Sequence, residues 1–376
     1  MLNRFKVILF FSLIGSLYIG CKHDQVSSQK DFFDITRPDD IAKIKSIKLK
    51  GDVLSLDPER LYGGFKMHLF DSLLILEKGT ANPGFFEIIN VSSEEVIQSA
   101  IMFGGGPGEL LGYLRTSIVD KEKRIIGIIE PNNLGAYYEW HLDSALISSD
   151  YKIKKLNNLG TKFSGSFSKI DNEQFATVSI KDPNRVLITN HLGELQFSGI
   201  DYPFEAEMSN WSKDMLGMVF QAELIVNQSK KKIAVFNYAS PNWDIIDFSN
   251  DSLMVINQFH LAVPVFNDLS SQDGNVSRRS VVRKSENIEG FKSISSNKGA
   301  IYSLYSGRTY KKHKDDAYVS NIVLVHDWNG NIINKYELQE DVKAISISED
   351  NNHLYTFTEI AEESMITVYD LQKYRN

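Results

Sequence analysis

The sequence contains a single cysteine, Cys21, among 376 residues. One cysteine cannot form an intramolecular disulfide, so covalent cross-links do not hold this fold together. The chain is instead long enough to bury a full core, and 42% of its residues are hydrophobic. The scarcity of cysteine therefore excludes a disulfide framework, and the composition predicts a globular protein with an apolar interior.

An excess of basic residues is also absent. The chain has 41 Lys and Arg against 48 Asp and Glu, a formal net charge of −7. Proteins that hold nucleic acid by neutralising its phosphates need the opposite balance. The basic stretches KSIKLK and YKKHK are short, and the second runs directly into Asp315 and Asp316. We therefore predict no nucleic-acid partner and interpret both stretches as solvated surface.

Motifs for metal binding and nucleophilic catalysis are lacking. The eight histidines are scattered singly, without a His-Glu-x-x-His or similar spacing. No Gly-x-Ser-x-Gly elbow and no EF-hand run occur. The paired acids lie in polar loop sequences, where solvation explains them. The sequence therefore predicts no catalytic residue, no metal site and no cofactor.

The longest apolar run lies at the amino terminus, and it is short. Val7–Ile19 falls below the roughly 20 apolar residues that span a bilayer, and with two basic residues before it the segment has the layout of a secretory signal. Cys21 follows Gly20 at the end of this run, which resembles a bacterial lipobox although Tyr18 replaces the usual leucine. The resemblance implies cleavage after Gly20 and lipidation of Cys21. A chance cysteine near an ordinary signal is the alternative.

The stretch after the cysteine is polar and predicts a flexible tether. The predicted organisation is a signal peptide over residues 1–20, a tether over 21–42 and a folded domain over 43–376. Two or three acyl chains on one cysteine would anchor the chain stably to the bacterial outer membrane. Cys-Lys-His-Asp faintly resembles an acidic surface-export signal of Bacteroidetes, but Asp24 is its only acid. Both a periplasmic and a surface-facing position stay open.

From about Lys43 onward the sequence is typical of short strands. Segments of five to eight residues, rich in Val, Ile, Tyr, Phe and Thr, are bounded by Asn, Asp, Gly or Ser. Only PGELLGYL and EAEMSNWSKDMLG are compatible with helix. A loose unit of about four strands recurs six times, which predicts an all-β, six-bladed β-propeller with four short antiparallel strands per blade. The remaining segment, DIAKIKSIKLK, is expected to close the ring by pairing with a terminal blade.

The glycine-rich stretch FGGGPGELLGY, residues 103–113, invites comparison with a phosphate loop. Such a loop needs Lys-Ser/Thr after its last glycine, whereas Glu109 follows Gly108 here and would repel phosphate. Glycine enters left-handed conformations at little cost, and proline fixes one dihedral angle. We therefore predict a sharp turn from the first blade into the second, formed by Gly104, Gly106, Pro107, Gly108 and Glu109.

The same stretch is similar to the Gly-x-Gly-Pro-Gly-Glu-Phe/Leu signature of the six-bladed, TolB-like β-propeller lipoproteins of Bacteroidetes. AIYSLYSGRTY, residues 300–310, resembles a second recurring segment of that family. Together with the lipobox, the resemblance covers nearly the whole chain. It implies a six-bladed propeller and a membrane location, and it implies no reaction.

Aromatic residues make up 11% of the chain, and some fall in predicted loops. Tyr137, Tyr138 and Trp140 follow PNNLGA, and Trp243 lies in ASPNWD. Either group could form a stacking platform for a sugar or a peptide, and packing between blades is the alternative. Arg308 is our candidate for a charged ligand-binding residue at the channel mouth or the loop rim, and a surface salt bridge is the alternative.

Three functions stay open on the sequence. The first is a non-enzymatic binding or scaffolding module that holds a protein or glycan at the bacterial envelope. The second is a metal-assisted enzyme, a polysaccharide lyase or lactonase-like hydrolase, with its site in the central channel. The third is a sensor that couples an external signal to a membrane complex. Converging metal ligands would favour the second, and an exposed apolar loop patch would favour the first.

Overall fold

The structure is a computed structural model that describes residues 33–112, 115–130, 133, 135–147, 153–160, 165–171, 173–180, 182–249, 252–273, 276–360 and 363–375. These residues form six main β-sheets and two small two-stranded sheets. Consecutive strands of each main sheet pair antiparallel, and backbone proximity or side-chain hydrogen bonds join the first strands of successive sheets in ring order. The predicted all-β, six-bladed β-propeller is therefore confirmed.

Two short strands precede the first blade, and each of the first three blades is a four-stranded meander that runs outward from the central channel. In chain order the strands are β1 (Ile47–Lys48), β2 (Asp52–Val53), then β3 (Gly64–Phe70), β4 (Leu73–Lys78), β5 (Gly84–Asn90) and β6 (Glu95–Met102) in blade 1, β7 (Arg115–Asp120), β8 (Ile125–Glu130), β9 (Ala136–His141) and β10 (Lys154–Asn158) in blade 2, and β11 (Phe167–Lys169), β12 (Gln174–Val178), β13 (Val186–Asn190) and β14 (Leu195–Gly199) in blade 3.

A β-hairpin that the sequence did not predict is inserted between blades 4 and 5. The remaining strands are β15 (Ala222–Asn227), β16 (Lys232–Asn237), β17 (Asn242–Asp247) and β18 (Met254–His260) in blade 4, β19 (Phe266–Asp268), β20 (Ser271–Asp273), β21 (Val276–Arg278) and β22 (Val281–Arg283) in the hairpin, β23 (Phe291–Ser296), β24 (Ile301–Tyr305), β25 (Ser320–His326) and β26 (Ile332–Val342) in blade 5, and β27 (Ala344–Ile347), β28 (His353–Ile360) and β29 (Glu363–Asp370) in blade 6.

The amino-terminal strands close the ring. β2 pairs antiparallel with β29 and supplies the fourth strand of blade 6, with Asp52 opposite Val368. β1 lies in the segment that was expected to close the ring, but it pairs in parallel with β26 at the outer edge of blade 5. The prediction that an amino-terminal strand closes the ring is thus right, but the strand that does so is β2 rather than one in the predicted segment. Pairing the start of the chain with its end removes an open sheet edge and ties the last blade to the first.

Helices are short in the described part of the chain, and none of them is long and apolar enough to cross a membrane. The helix proposed for PGELLGYL is wrong for its described residues, where the backbone turns and Leu110 bridges to Phe103. EAEMSNWSKDMLG is helical only towards its end. The helices are α1 (Pro38–Lys43), α2 (Pro58–Leu61), α3 (Leu142–Ile147), α4 (Lys213–Val219) and α5 (Tyr310–His313), with 3-10 turns at Lys314–Tyr318 and Leu371–Tyr374.

The folded part begins before residue 43, the predicted end of the tether. Ile35 and Ile41 are buried against the core between blades 4 and 5. The Lys335 ammonium donates to the carbonyl oxygens of Ile41 and Ile44, at 3.0 and 3.2 Å, which fixes the end of α1. The end of the predicted tether, from about Ile35, is therefore packed on the propeller. Residues 1–32, which include the predicted signal peptide, Gly20 and Cys21, lie outside the described residues.

The hydrophobic core lies between successive blades rather than in one central mass. Each pair of neighbouring blades shares its own cluster of buried apolar side chains. The second strands of blades 1 and 2, β4 and β8, are buried along their full length because other strands and blades cover both faces. This packing leaves the loops at the two ends of the ring as the surfaces that can vary without disturbing the core.

A buried histidine between blades 4 and 5 predicts acid sensitivity. The His326 Nδ1 donates to the carbonyl of Gly330 at 3.3 Å, and its Nε2 lies 2.8 Å from the Ser303 hydroxyl, so the neutral ring is fully hydrogen-bonded. Burial lowers the pKa of His326 from 6.5 to about 4. Below pH 6.5, His326 becomes protonated in the unfolded chain but stays neutral in the folded chain. The free energy of unfolding therefore falls as the pH drops from 6.5 to about 4. The loss attributable to His326 is about 3 kcal/mol.

Urea unfolding of the wild type and a His326→Gln variant between pH 7 and 4 will measure this contribution. The variant should lose stability less steeply than the wild type across that window. Replacing the exposed His141 with glutamine is the matched control and should leave the wild-type slope unchanged. A His326→Gln slope equal to that of the wild type would contradict the prediction.

Candidate binding face

The two ends of the ring differ in the length of their loops. We call loop face the end that carries the connections between blades and between the second and third strands of each blade. The long insertions 200–221, 261–290 and 306–319 all lie there. At the opposite end most connections have two to six residues, and the longest contains α3. Ligand-binding loops on a rigid scaffold are therefore expected at the loop face.

An ion pair closes the central channel at the loop face. The Lys66 ammonium on β3 lies 2.9 Å from the Glu223 carboxylate on β15, and it also donates to the carbonyl of Thr116 at 3.0 Å. Blades 1 and 4 stand opposite each other in a six-bladed ring, so this pair crosses the channel. The Tyr238 hydroxyl donates to the other oxygen of Glu223. These contacts occupy the channel mouth with side chains of the protein itself.

The charges at the mouth are held in fixed protonation states. Burial alone would raise the pKa of Glu223, but the Lys66 ammonium and the Tyr238 hydrogen bond hold that pKa below its usual value. Burial and the neighbouring Glu223 charge raise the pKa of Tyr238 well above its usual value. Glu223 is therefore ionised and Tyr238 neutral at physiological pH. The pair is structural, because neither group is poised to exchange a proton near neutral pH.

Deeper in the channel, Thr116, His68 and Glu77 contact one another without forming a catalytic triad. The His68 Nε2 lies 3.1 Å from the Thr116 hydroxyl, and that hydroxyl donates to Glu77 at 2.5 Å. In a triad the acid accepts a hydrogen bond from the other ring nitrogen of the histidine, whereas here Glu77 accepts one from the Thr116 hydroxyl. Burial lowers the pKa of His68, so the ring is neutral. This arrangement satisfies buried polar groups and does not activate a nucleophile.

Metal-ligand clusters were the observation that would favour an enzyme. Across the described part of the chain, no group of three or more His, Cys, Asp or Glu side chains is placed to hold a metal ion. The geometry therefore gives the metal-assisted alternative no support there.

The structure buries the four aromatic residues proposed as stacking platforms. Tyr137, Tyr138, Trp140 and Trp243 are at most 9% exposed. Trp243 is stacked on Phe236 and Phe259 at ring-centroid distances of 6.2 and 4.6 Å, and the Trp243 indole donates to the Gly330 carbonyl at 2.9 Å. The platform interpretation is wrong for these residues because strands, not loops, carry them. Packing between blades, the stated alternative, is what the structure shows.

Arg308 lies on the loop face in the connection between β24 and β25. Its guanidinium forms two parallel hydrogen bonds with the Asp341 carboxylate, both 2.7 Å, and donates to the carbonyl of Asp316 at 2.9 Å. This fork-to-fork pairing occupies the planar edge that would otherwise bind a ligand carboxylate. The salt-bridge alternative therefore describes Arg308 in this structure.

The glycine-rich stretch connects blade 1 to blade 2, between β6 and β7. The Glu109 carboxylate folds back and accepts a hydrogen bond from the Gly106 amide at 2.7 Å. A Cβ added to Gly104 would lie 2.0 Å from that carboxylate, and Gly108 has φ +84°, so both positions favour glycine. Pro107 lies in the same turn. The loop therefore binds its own carboxylate where a phosphate loop would bind phosphate.

Exposed apolar side chains collect on the loop face. On the opposite face, Ile147, Leu192 and Met254 are 86%, 53% and 60% accessible. The exposed loop-face residues are between 42% and 63% accessible, and they are Tyr62, Phe65, Phe103, Leu111, Val263, Leu269, Val282, Tyr318 and Ile360. These side chains are available for apolar contact with a partner at this face.

Basic residues also gather on the loop face, which the sequence reasoning missed. SRRSVVRK, residues 277–284, has four basic residues and no acid. The stretches 276–290 and 306–316, which lie at the loop face, together have eight Lys or Arg and four Asp or Glu. They are net positive by four in a chain of −7. The Lys311 amide donates to the Ser285 carbonyl at 2.6 Å, so YKKHK lies beside the end of SRRSVVRK. A charge count along 276–316 would have revealed it.

A groove of about 600 Å³ runs along the inserted hairpin, beside this basic segment. Its walls combine apolar, aromatic and basic side chains. They include Met218, Gln221, Phe266, Val281, Arg283 and Tyr318.

Comparisons with known proteins agree with the architecture. The model of the family described as TolB-like 6-blade propeller-like matches residues 25–350. A Bacteroides fragilis protein whose name describes it as exported superimposes with a TM-score of 0.53 at 13% identity, covering 87% of this chain and 98% of its own. A DUF4221 family member from Bacteroides vulgatus gives 0.53 at 11% identity, covering 87% and 97%. No curated protein sequence matches significantly.

Proposed function

Because the chain belongs to the TolB-like six-bladed propeller family, we propose that it is a non-enzymatic binding or scaffolding module of the bacterial envelope. It holds a protein or a glycan against its loop face. The observation that carries this proposal is the coincidence, on one face, of the long insertions, the exposed apolar side chains and the basic stretches 276–290 and 306–316.

The closed channel supports recognition at the surface rather than inside the ring. The Lys66–Glu223 ion pair spans the mouth, and the polar groups around it bind one another. A ligand that entered from this face would have to break a partly buried ion pair, which costs free energy. The exposed loops impose no such cost, so the proposal places the partner on them.

The proposed location follows from the amino terminus and from the relatives. An apolar run that ends in Gly20 and Cys21 favours export and lipidation of Cys21, with anchoring to the outer membrane. One structurally similar Bacteroides protein is named as exported, which supports export of this chain as well. The propeller then stands at the membrane surface, within reach of envelope proteins and glycans.

Site-specific photo-crosslinking in cells will test the proposed face. A photoreactive phenylalanine analogue is placed at Phe103 or Tyr318 on the loop face, and at Leu192 or Met254 on the opposite face as matched exposed controls. We expect at least tenfold more crosslinked partner from the loop-face positions. Protease and glycosidase treatment of the adduct will identify its class. Equal crosslinking from both faces would refute the proposal.

A further inference from the structure

The inserted hairpin presents a free strand edge on the loop face. β22 pairs with β19 on one side, and it has no second strand neighbour among the described residues. Backbone hydrogen bonds join Lys284 to Val265 and Leu269 to Ser280, each at 2.9 Å. Because hydrogen-bonded pairs alternate along an antiparallel ladder, residues 280, 282 and 284 face β19.

The intervening residues therefore point their backbone groups away from the hairpin. Arg279, Val281 and Arg283 form no backbone hydrogen bond with another residue of the described chain. Their amide and carbonyl groups form a row along the free edge, the same pattern that a further β-strand would complete. All three residues also line the 600 Å³ groove.

One face of the hairpin is already supported, so its edge is held in place. Phe266 and Val281 pack against the cluster formed by Tyr202, Leu216 and Phe220 around α4. A two-stranded hairpin alone is marginally stable, and this packing provides the missing support. The edge is thus a fixed template rather than a loose loop.

The charges along the edge specify an acidic partner. Arg278 and Lys284 have no ion-pair partner among the described residues, and Arg279 has only Asp214 at 3.8 Å. Arg283 is oriented by Glu289, at 2.6 Å, and lies 5.9 Å from the centre of the Tyr318 ring. Acids also lie nearby, since Asp268 interacts with Arg279, and Glu286 is close to Lys284 and Lys311. Within the hairpin, residues 266–284, four Lys or Arg stand against two Asp, so the hairpin itself is net positive.

We propose that the free edge of β22 binds an extended, acidic peptide segment of a partner protein by strand addition. The backbone groups of Arg279, Val281 and Arg283 pair with the peptide main chain, the arginines and Lys284 contact its carboxylates, and Tyr318 and Met218 contact its apolar side chains. This inference rests on the proposed binding function and names the partner's chemistry. Main-chain pairing provides affinity, and the alternating side-chain contacts provide specificity.

The backbone row favours a peptide over an acidic glycan. A glycan carboxylate would be attracted by the same cations, but it has no alternating amide and carbonyl groups to match those of residues 279, 281 and 283. The two ligand classes therefore differ in whether they need the edge amides. This difference defines the experiment.

Binding of a fluorescent octapeptide of alternating glutamate and valine to the full chain will test the proposal. Arg278→Glu combined with Arg279→Glu should weaken binding at least tenfold. Val281→Pro removes an outward amide while keeping every cation, and it should also weaken binding at least tenfold. The matched controls are Lys45→Glu with Lys50→Glu on blade 5, and Val281→Thr, and each should change affinity less than twofold.

Residue-resolved hydrogen exchange on the wild type provides a second readout, which also decides the outcome if Val281→Pro does not fold. Bound peptide should slow exchange of the Val281 and Arg283 amides at least tenfold. Unchanged exchange, or full affinity in Val281→Pro, would show charge attraction without strand addition and would overturn the inference. Polygalacturonate that binds as tightly as the peptide, regardless of Val281→Pro, would indicate a glycan site instead.

The outcome is distinguishable from failure of the proposed function. A photoreactive group at Val282 that captures no partner, together with capture from Phe103, would refute the hairpin site alone. An absence of capture from every loop-face position would refute the proposed function, whatever the octapeptide does in solution.

Discussion

Replacing Asp244 with asparagine will destabilise the protein by about 3–5 kcal/mol, because it leaves a buried arginine without its counter-charge. The Arg185 and Asp244 side chains are 0% and 1% exposed, and they form a direct ion pair that joins blade 3 to blade 4. The Arg185 guanidinium also donates to Asn237 at 2.5 Å, and His260 lies 2.7 Å from the second Asp244 oxygen. Burial alone would raise the pKa of Asp244, but Arg185 and His260 hold it below its usual value. Urea unfolding at pH 7 will measure the loss.

Two further variants make the Asp244 prediction specific. Removing both charges, with Arg185→Met and Asp244→Leu, should be less destabilising than Asp244→Asn because no unpaired charge remains buried. Asp143→Asn removes a partner of Arg124 from an exposed pair, 3.2 Å apart, and should cost less than about 1 kcal/mol. A cost below 1 kcal/mol for Asp244→Asn would show that the buried pair contributes little.

The propeller could be predicted because its signal repeats. Each blade carries the same sequence of short strands and polar turns, so an error in one strand does not disturb the six-fold count. The ring closure was harder, since β1 and β2 have only two residues each and their partners lie about 300 residues away. The local sequence pattern shows that a segment is left over outside the six blades. Which sheet edge β1 and β2 each pair with depends on the assembled ring.

The four aromatic residues proposed as stacking platforms were misinterpreted because the middle strands of a propeller blade do not alternate between buried and exposed residues. Neighbouring strands and blades cover both faces of a middle strand, so adjacent residues such as Asn242 and Trp243 are both fully buried. The turn-forming residues Ser-Pro-Asn before Trp243 predict a loop there from composition alone. In the structure, β17 already begins at Asn242, so Trp243 lies in a strand. A loop assignment in such a sequence therefore says little about exposure.

The candidate face depends on contacts that the sequence cannot show. Lys66 and Glu223 are 157 residues apart, and only the ring brings them together across the channel. The basic segment could have been found by counting charge along 276–316. Its free backbone edge could not, because that edge exists only once the hairpin register is fixed.

We predict that replacing Cys21 with alanine releases the protein from the membrane. In the proposed lipoprotein, two or three acyl chains on Cys21 hold the wild type stably, and each buried methylene contributes about 0.8 kcal/mol. The formal net charge of −7 opposes attraction to an anionic lipid surface. The membrane-bound to soluble ratio after fractionation should therefore fall at least tenfold in Cys21→Ala.

Ser28→Ala, in the same predicted tether, is the matched control and should fractionate like the wild type. Mass spectrometry of the mature wild type should find acyl chains on Cys21 as the first residue. Membrane retention of Cys21→Ala at the wild-type level, with removal of residues 1–20 verified by mass spectrometry, would contradict the prediction.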